Sequence, residues 1–228
     1  MTRSRPFIAP LAVRPRLLAG LGWLLAVSLL AGCSVLKPSG SSPPRFFTLG
    51  PAPAGSVQQV PQPLPANAHA PALLVLAPSA AAGFDSQRII YIRQNQQIEY
   101  FAHNEWVDTP SRMLQGLLVE ALARSGAFSA VSPASGAAGG DLRLDTAIVR
   151  LQHEFQSPPS RVRFTLRATL VEDHSRRVLA WREFDTVVPA ASDDPYGGVT
   201  AANEAVQTTL QQLAAFSREA VATWKPAR

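Results

Sequence analysis

Arg161-Val162-Arg163-Phe164-Thr165-Leu166-Arg167-Ala168-Thr169-Leu170 is the stretch whose reading decides the fold. Successive side chains of a strand point to opposite faces, so a period of two sorts them into two sets. Val162, Phe164, Leu166, Ala168 and Leu170 form one set; Arg161, Arg163, Thr165, Arg167 and Thr169 form the other. One face is therefore buried, and the other meets solvent or a polar partner. Asp173-His174-Ser175-Arg176 supplies a turn, after which Val178 to Val188 returns antiparallel. Upstream, Leu142, Leu144, Ala147 and Val149 predict a long strand with an irregularity after Leu144, where the alternation slips by one.

Working outward, Leu73 to Ala77 reads as a short buried strand. Arg88 to Arg93 and Gln97 to Phe101, separated by Gln94-Asn95-Gln96, read as a hairpin. Thr109-Pro110 marks a helix start, with proline at the first helical position. Met113, Leu114, Leu117, Leu118, Ala121 and Leu122 recur at three and four residues, and Gly126 stops the helix. Ala127-Phe128 begins the return, and Ser132 to Gly140 reads as a loop of small residues. After a second loop, Ser192 to Gly198, a long helix runs from about Val199 to Trp224, with Ala202, Val206, Leu210, Leu213 and Phe216 along one stripe. The expected fold is α+β, with two helices on one face of a mixed, mostly antiparallel sheet.

The start of the chain reads differently. Arg3, Arg5, Arg14 and Arg16 precede an apolar run from Leu17 to Leu30, and Leu30-Ala31-Gly32-Cys33 follows with the protein's one cysteine. A basic start, an apolar middle and small residues before the cut describe a secretory signal peptide. The run is about 14 residues, short of the roughly 20 that a spanning helix needs. The expected organisation is a signal peptide over 1–32, a Pro/Ser/Ala-rich tether over 33–72 and a domain over 73–228. Within the tether, Arg45-Phe46-Phe47-Thr48-Leu49 has the aromatic pair of a short strand docked on the domain. Pro43-Pro44, Pro51, Pro53, Pro61, Pro63, Pro65 and Pro71 keep the remainder extended.

The 21 basic and 16 acidic residues give a formal charge of +5. Four of the basic residues and none of the acidic ones precede Cys33, so the chain from Cys33 onward carries 17 − 16 = +1. That excludes a basic stripe able to displace many phosphate counterions, and with it nucleic-acid binding. His69, His103, His153 and His174 are scattered, with no second cysteine and no spacing that would hold a metal, so neither a metal nor a cofactor is expected. There is no G-x-S-x-G turn and no phosphate-cradling G-x-x-x-x-G-K, so an enzyme is not expected. Asp193-Asp194 reads as a helix cap, and Gly197-Gly198 as a loop-to-helix turn.

Tyr91, Tyr100, Phe101 and Trp106 crowd around the hairpin. Large aromatics are mostly core, yet they also anchor interfaces. Tyr100, Phe101 and Trp106 are therefore candidate partner-binding residues, Trp106 foremost, whose replacement would then weaken docking and spare folding. Arg161, Arg163 and Arg167 form a second candidate, either a solvated strand face or a surface that pairs with acids on a partner or a sister subunit.

Several segments together resemble a known family. They are Leu30-Ala31-Gly32-Cys33, Arg45 to Leu49, Tyr100-Phe101 with Trp106 to Leu114, Ala127-Phe128 with Val131, Asp141 to Leu144, Phe155, Arg163-Phe164 with Leu166, and Asp194 to Val199 with Ala201-Ala202-Asn203. In order and spacing the chain looks like the ABC-type transport auxiliary lipoproteins, relatives of paraquat-inducible protein C. The resemblance implies acylation of Cys33, a domain similar to the N-terminal domain of TolB, and no catalytic residues. It also implies partnership with an MCE-domain protein and an ABC permease and ATPase that move phospholipid or other lipids between inner and outer membranes. Ser34 resembles the outer-membrane sorting pattern, which places the protein on the periplasmic face of the envelope of a Gram-negative cell. The alternative is a structural envelope lipoprotein that scaffolds an assembly without contacting transported lipid.

Overall fold

In chain order the elements are β1 (Arg45–Phe47), β2 (Ala72–Val75), β3 (Ser79–Ala80), β4 (Arg88–Ile92), β5 (Glu99–Trp106), α1 (Pro110–Arg124), β6 (Ala130–Pro133), β7 (Leu142–Glu154), β8 (Arg161–Glu172), β9 (Val178–Pro189) and α2 (Pro195–Ala222). They come from a computed structural model that describes residues 43–50, 70–134 and 139–225. The signal segment, Cys33 and the proline-rich stretch over 51–69 lie outside the described residues. The compact unit runs from Pro44 to Arg228 and takes in β1.

Among the described residues one mixed sheet holds all nine strands, and β7 is its spine. Along one edge β7 pairs antiparallel with β8, which pairs antiparallel with β9. Along the other edge it carries three parallel neighbours end to end. β2 lies against Leu142 to Leu144, β3 against Ala147 and Ile148, and β4 against His153 and Glu154. β2 then pairs with β6, and β4 with β5, to which β1 adds in parallel. The sheet thus forks on one side of β7 and stays whole on the other.

The alternation in β8 holds: Val162, Phe164, Leu166, Ala168 and Leu170 are buried in the core. The irregularity in β7 lies further along than the sequence implies, between Ile148 and Arg150. Leu142, Leu144, Thr146 and Ile148 face the core before it, and Leu151 and His153 after it. Ala147 and Val149 consequently belong to the other face. The misplacement has a simple cause: Thr146 is polar but buried, so its hydroxyl concealed the period. The return after α1 is also more ordered than expected, because Ala130–Pro133 forms β6 beside β2.

Both helices cover the face that β8 buries. α1 presents Leu114, Leu118 and Leu122, and α2 presents Ala202, Val206, Leu210, Leu213 and Phe216, all within one hydrophobic cluster. Gly126 adopts φ 69° just past α1, the left-handed conformation that ends helices at low steric cost. α2 begins four residues earlier than its apolar stripe indicates. Asp194 caps it by accepting from the Gly197 amide at 2.8 Å, and Pro195 takes the first position. Gly197 and Gly198 are therefore helical. They are glycines because a Cβ at Gly197 would lie 2.3 Å from the Ser192 carbonyl oxygen, and one at Gly198 would lie 2.4 Å from His153 Nδ1.

Candidate functional site

With both helices on one face, no helix among the described residues covers the other face of β7, β8 and β9. Arg161, Arg163 and Arg167 stand there, as the alternation requires. Each has a carboxylate partner within the same sheet. Glu154 Oε2 accepts from Arg161 Nε at 2.9 Å, and Oε1 accepts from Arg163 Nε at 3.0 Å and from Gln152 Nε2 at 2.9 Å. Arg163 also reaches Asp185, which accepts from Thr165 Oγ1 at 2.6 Å, and Arg167 pairs with Glu183 at 2.8 Å. Cross-strand register sets these partners: Glu154 lies opposite Arg161, and Arg167 opposite Glu183.

The pairs differ in weight. Arg167–Glu183 is open to water, and such pairs contribute about 0–1 kcal/mol. Glu154 is buried, and burial by itself works to raise its pKa. Hydrogen bonds from Gln152, Arg161 and Arg163 outweigh that and hold the carboxyl below its ordinary value. Three cations against Glu154, Asp185 and Glu183 leave this belt neutral. It is suited to docking a polar protein surface and unsuited to attracting an ionic ligand from a distance. Sequence reasoning missed the acids; counting residues back across the turn between Glu154 and Arg161 would have found the first of them.

The aromatic candidates separate. Tyr100 is 38% exposed, with the Arg88 guanidinium 4.9 Å from its ring centre. Phe101 is half-buried, its ring 4.6 Å from that of Tyr91 and 6.3 Å from that of His153. Trp106 is 3% exposed and sits in the core cluster, away from the exposed surface where a partner could reach it. A register shift explains the split. Between the pairs Arg88–Glu105 and Ile90–Tyr100, β4 advances two residues while β5 advances five. The odd difference turns Trp106 to the face opposite Tyr100. Further exposed apolar side chains lie where the residue pattern offered no sign of them: Trp181, 66% exposed, with Val178 and Val187 on β9. β9 pairs with β8 alone among the described strands, so one of its edges is open.

A second cluster sits at the start of α2. His153 Nε2 is 2.8 Å from Ser160 Oγ, and the Ser160 amide donates to Asp193 Oδ1 at 3.1 Å. His153 Nδ1 is buried with no hydrogen-bond partner. Among the described residues no cluster of His, Cys, Asp and Glu has the makings of a metal site. No described helix is long and apolar enough to cross a membrane.

The model of the ABC-type transport auxiliary lipoprotein component matches residues 48–214. The chain belongs to that family. As the family description states, its members are lipoproteins that serve an ABC transport system, which places this protein at the cell envelope as an auxiliary transport component. The fold agrees with solved relatives. Protein XCC0632 from Xanthomonas campestris superposes with a TM-score of 0.63 at 24% identity, over 78% of this chain and 93% of that one. An uncharacterized protein superposes with a TM-score of 0.57 at 15% identity, over 78% of this chain and 99% of the other. No curated protein matches the chain.

Proposed function

We propose that this auxiliary lipoprotein is a non-enzymatic docking module of an MCE-type lipid transporter, tethered through acylated Cys33 to the periplasmic face of the outer membrane. The observation that carries the reading is the family match across 48–214, which takes in α1, most of α2 and the strands β2 to β9. Acyl chains contribute about 0.8 kcal/mol per buried methylene, so several on one cysteine hold the domain on a bilayer. The proline-rich stretch before Pro71 spaces it from that surface. The uncovered sheet face supports docking. A neutral belt of Arg161, Arg163 and Arg167 with their acids lies between exposed Tyr100 on β5 and exposed Trp181 on β9. Aromatic and arginine side chains dominate interface energetics, and the belt supplies polar register.

The test is purification of the native complex from membranes through a tag on this protein. Recovery of an MCE-domain protein with an ABC permease and ATPase is expected. Cys33→Ser should then abolish fatty-acid labelling and shift the protein out of the outer-membrane fraction. Recovery of an ABC transporter lacking any MCE-domain protein would sink the lipid-transport assignment. Fatty acid still entering the Cys33→Ser chain would sink the anchor.

A further inference from the structure

We propose that the His153–Ser160–Asp193 cluster is a pH-sensitive latch, which holds the first turn of α2 against the sheet while His153 is neutral and loosens it when His153 gains a proton. The geometry starts from two side chains that are almost completely enclosed. His153 and Ser160 are 2% and 1% exposed, and Nε2 and Oγ lie 2.8 Å apart. Asp193 accepts from the Ser160 amide at 3.1 Å, and the Ser160 hydroxyl and amide together hold its carboxyl below the ordinary value. If the hydroxyl proton points to Asp193, Oγ is left as the acceptor for His153, so the imidazole carries its one proton on Nε2. Nδ1 is then a bare lone pair. It packs against the Gly198 backbone so closely that even a Cβ there would approach it to 2.4 Å.

A second proton has to go onto Nδ1, which is buried and has no hydrogen-bond partner. The N-terminal end of the α2 dipole is positive and adds to the penalty. The charged groups around the ring are few. Asp193 and Asp194, in the loop before α2, favour the protonated form, but burial outweighs them and pushes the imidazole below its ordinary value. Tyr91, its register partner on β4, has its hydroxyl engaged by Glu99 and Arg93. Phe101 and Phe155 are uncharged neighbours, and Glu154 points to the opposite face, where Arg161 and Arg163 hold it.

The sign follows. Above about pH 6.5 the imidazole is neutral whether the turn is closed or open, and the latch is at full strength. Below that, the open form binds a proton first, so the closed form loses stability as pH falls toward the depressed value. Opening frees Asp194 to meet the new charge and moves Tyr196, 71% exposed on the same turn.

Hydrogen exchange on the full chain in detergent micelles, from pH 7.5 to 5.5 and corrected for intrinsic rates, tests this. Peptides covering 190–202 and 156–162 should lose protection with a midpoint below 6.5, by at most about tenfold at pH 5.5. Peptides of α1 should keep theirs, and His153→Gln should flatten the response at α2. Unchanged protection at α2 over this range would overturn the latch. So would an equal loss in α1, or the same response in the His153→Gln chain. If that variant fails to fold, the wild-type midpoint and its confinement to α2 decide the matter alone.

Discussion

Phe164→Ala is expected to lower stability by about 3–5 kcal/mol, the cost of emptying a fully enclosed aromatic site. Phe164 has no exposed surface and lies mid-strand, opposite Leu151 on β7 and Thr186 on β9. Neighbours on the two flanking strands and the helices above leave the cavity little freedom to collapse. Each kcal/mol is worth roughly 2–4 °C for a domain of this size, so a thermal melt should fall by roughly 6–20 °C. Against a total of about 5–15 kcal/mol, much of the population could unfold at working temperature. A melt moved by less than about 2 °C would mean that the alternating strand buries its other face.

Trp106→Ala should act by the same route. Its ring belongs to the core, its amide donates to the Gln87 carbonyl at 2.7 Å, and it lies in register with Phe47 of β1. A loss of about 3–5 kcal/mol is expected, and partner recovery should decline only as far as the folded fraction does. Tyr100→Ala should behave the other way round. Its melt should stay within about 0.5 kcal/mol of wild type. Its recovery of the transporter should fall, by roughly thirtyfold in affinity if Tyr100 is a hot spot worth about 2 kcal/mol. Measuring both properties on both variants separates core from interface. An unchanged melt for Trp106→Ala would return that residue to the docking surface.

Much of the fold was legible because its clearest signals are local. The period of two in Arg161 to Leu170, the leucines of α1 at three and four, and Thr109-Pro110 with Gly126 at its ends each report on neighbours in sequence. What was hidden depends on distant partners. Ala130–Pro133 is a strand because β2 lies beside it, and nothing in its own pattern says so. Gly197-Gly198 looked like a turn because glycine is common in turns, whereas here Ser192 and His153 leave no room for a side chain. The candidate surface shows the same division. The arginine face followed from alternation, but the acids that neutralise it come from β7 and β9. Trp106 was misplaced because a register shift in β5 reverses its facing, and only pairing with β4 reveals that shift.

The forked sheet has a consequence for the order in which the chain can fold as it is made. β2 and β6 pair with each other, and β4 pairs with β5, but the two groups share no strand until β7 exists. Residues 72–133 therefore emerge as two separate fragments of sheet with exposed apolar edges, and Leu142–Glu154 is the piece that locks them together. Assembly waits on parallel pairings between segments some 60–70 residues apart, contacts whose loop-closure entropy makes them slow. A chain truncated after Ala134 should show no cooperative melt, and one that did would show that the first half nucleates the domain by itself. Until β7 pairs with them those strand edges stay open, and they are the part of a half-folded chain most prone to aggregate.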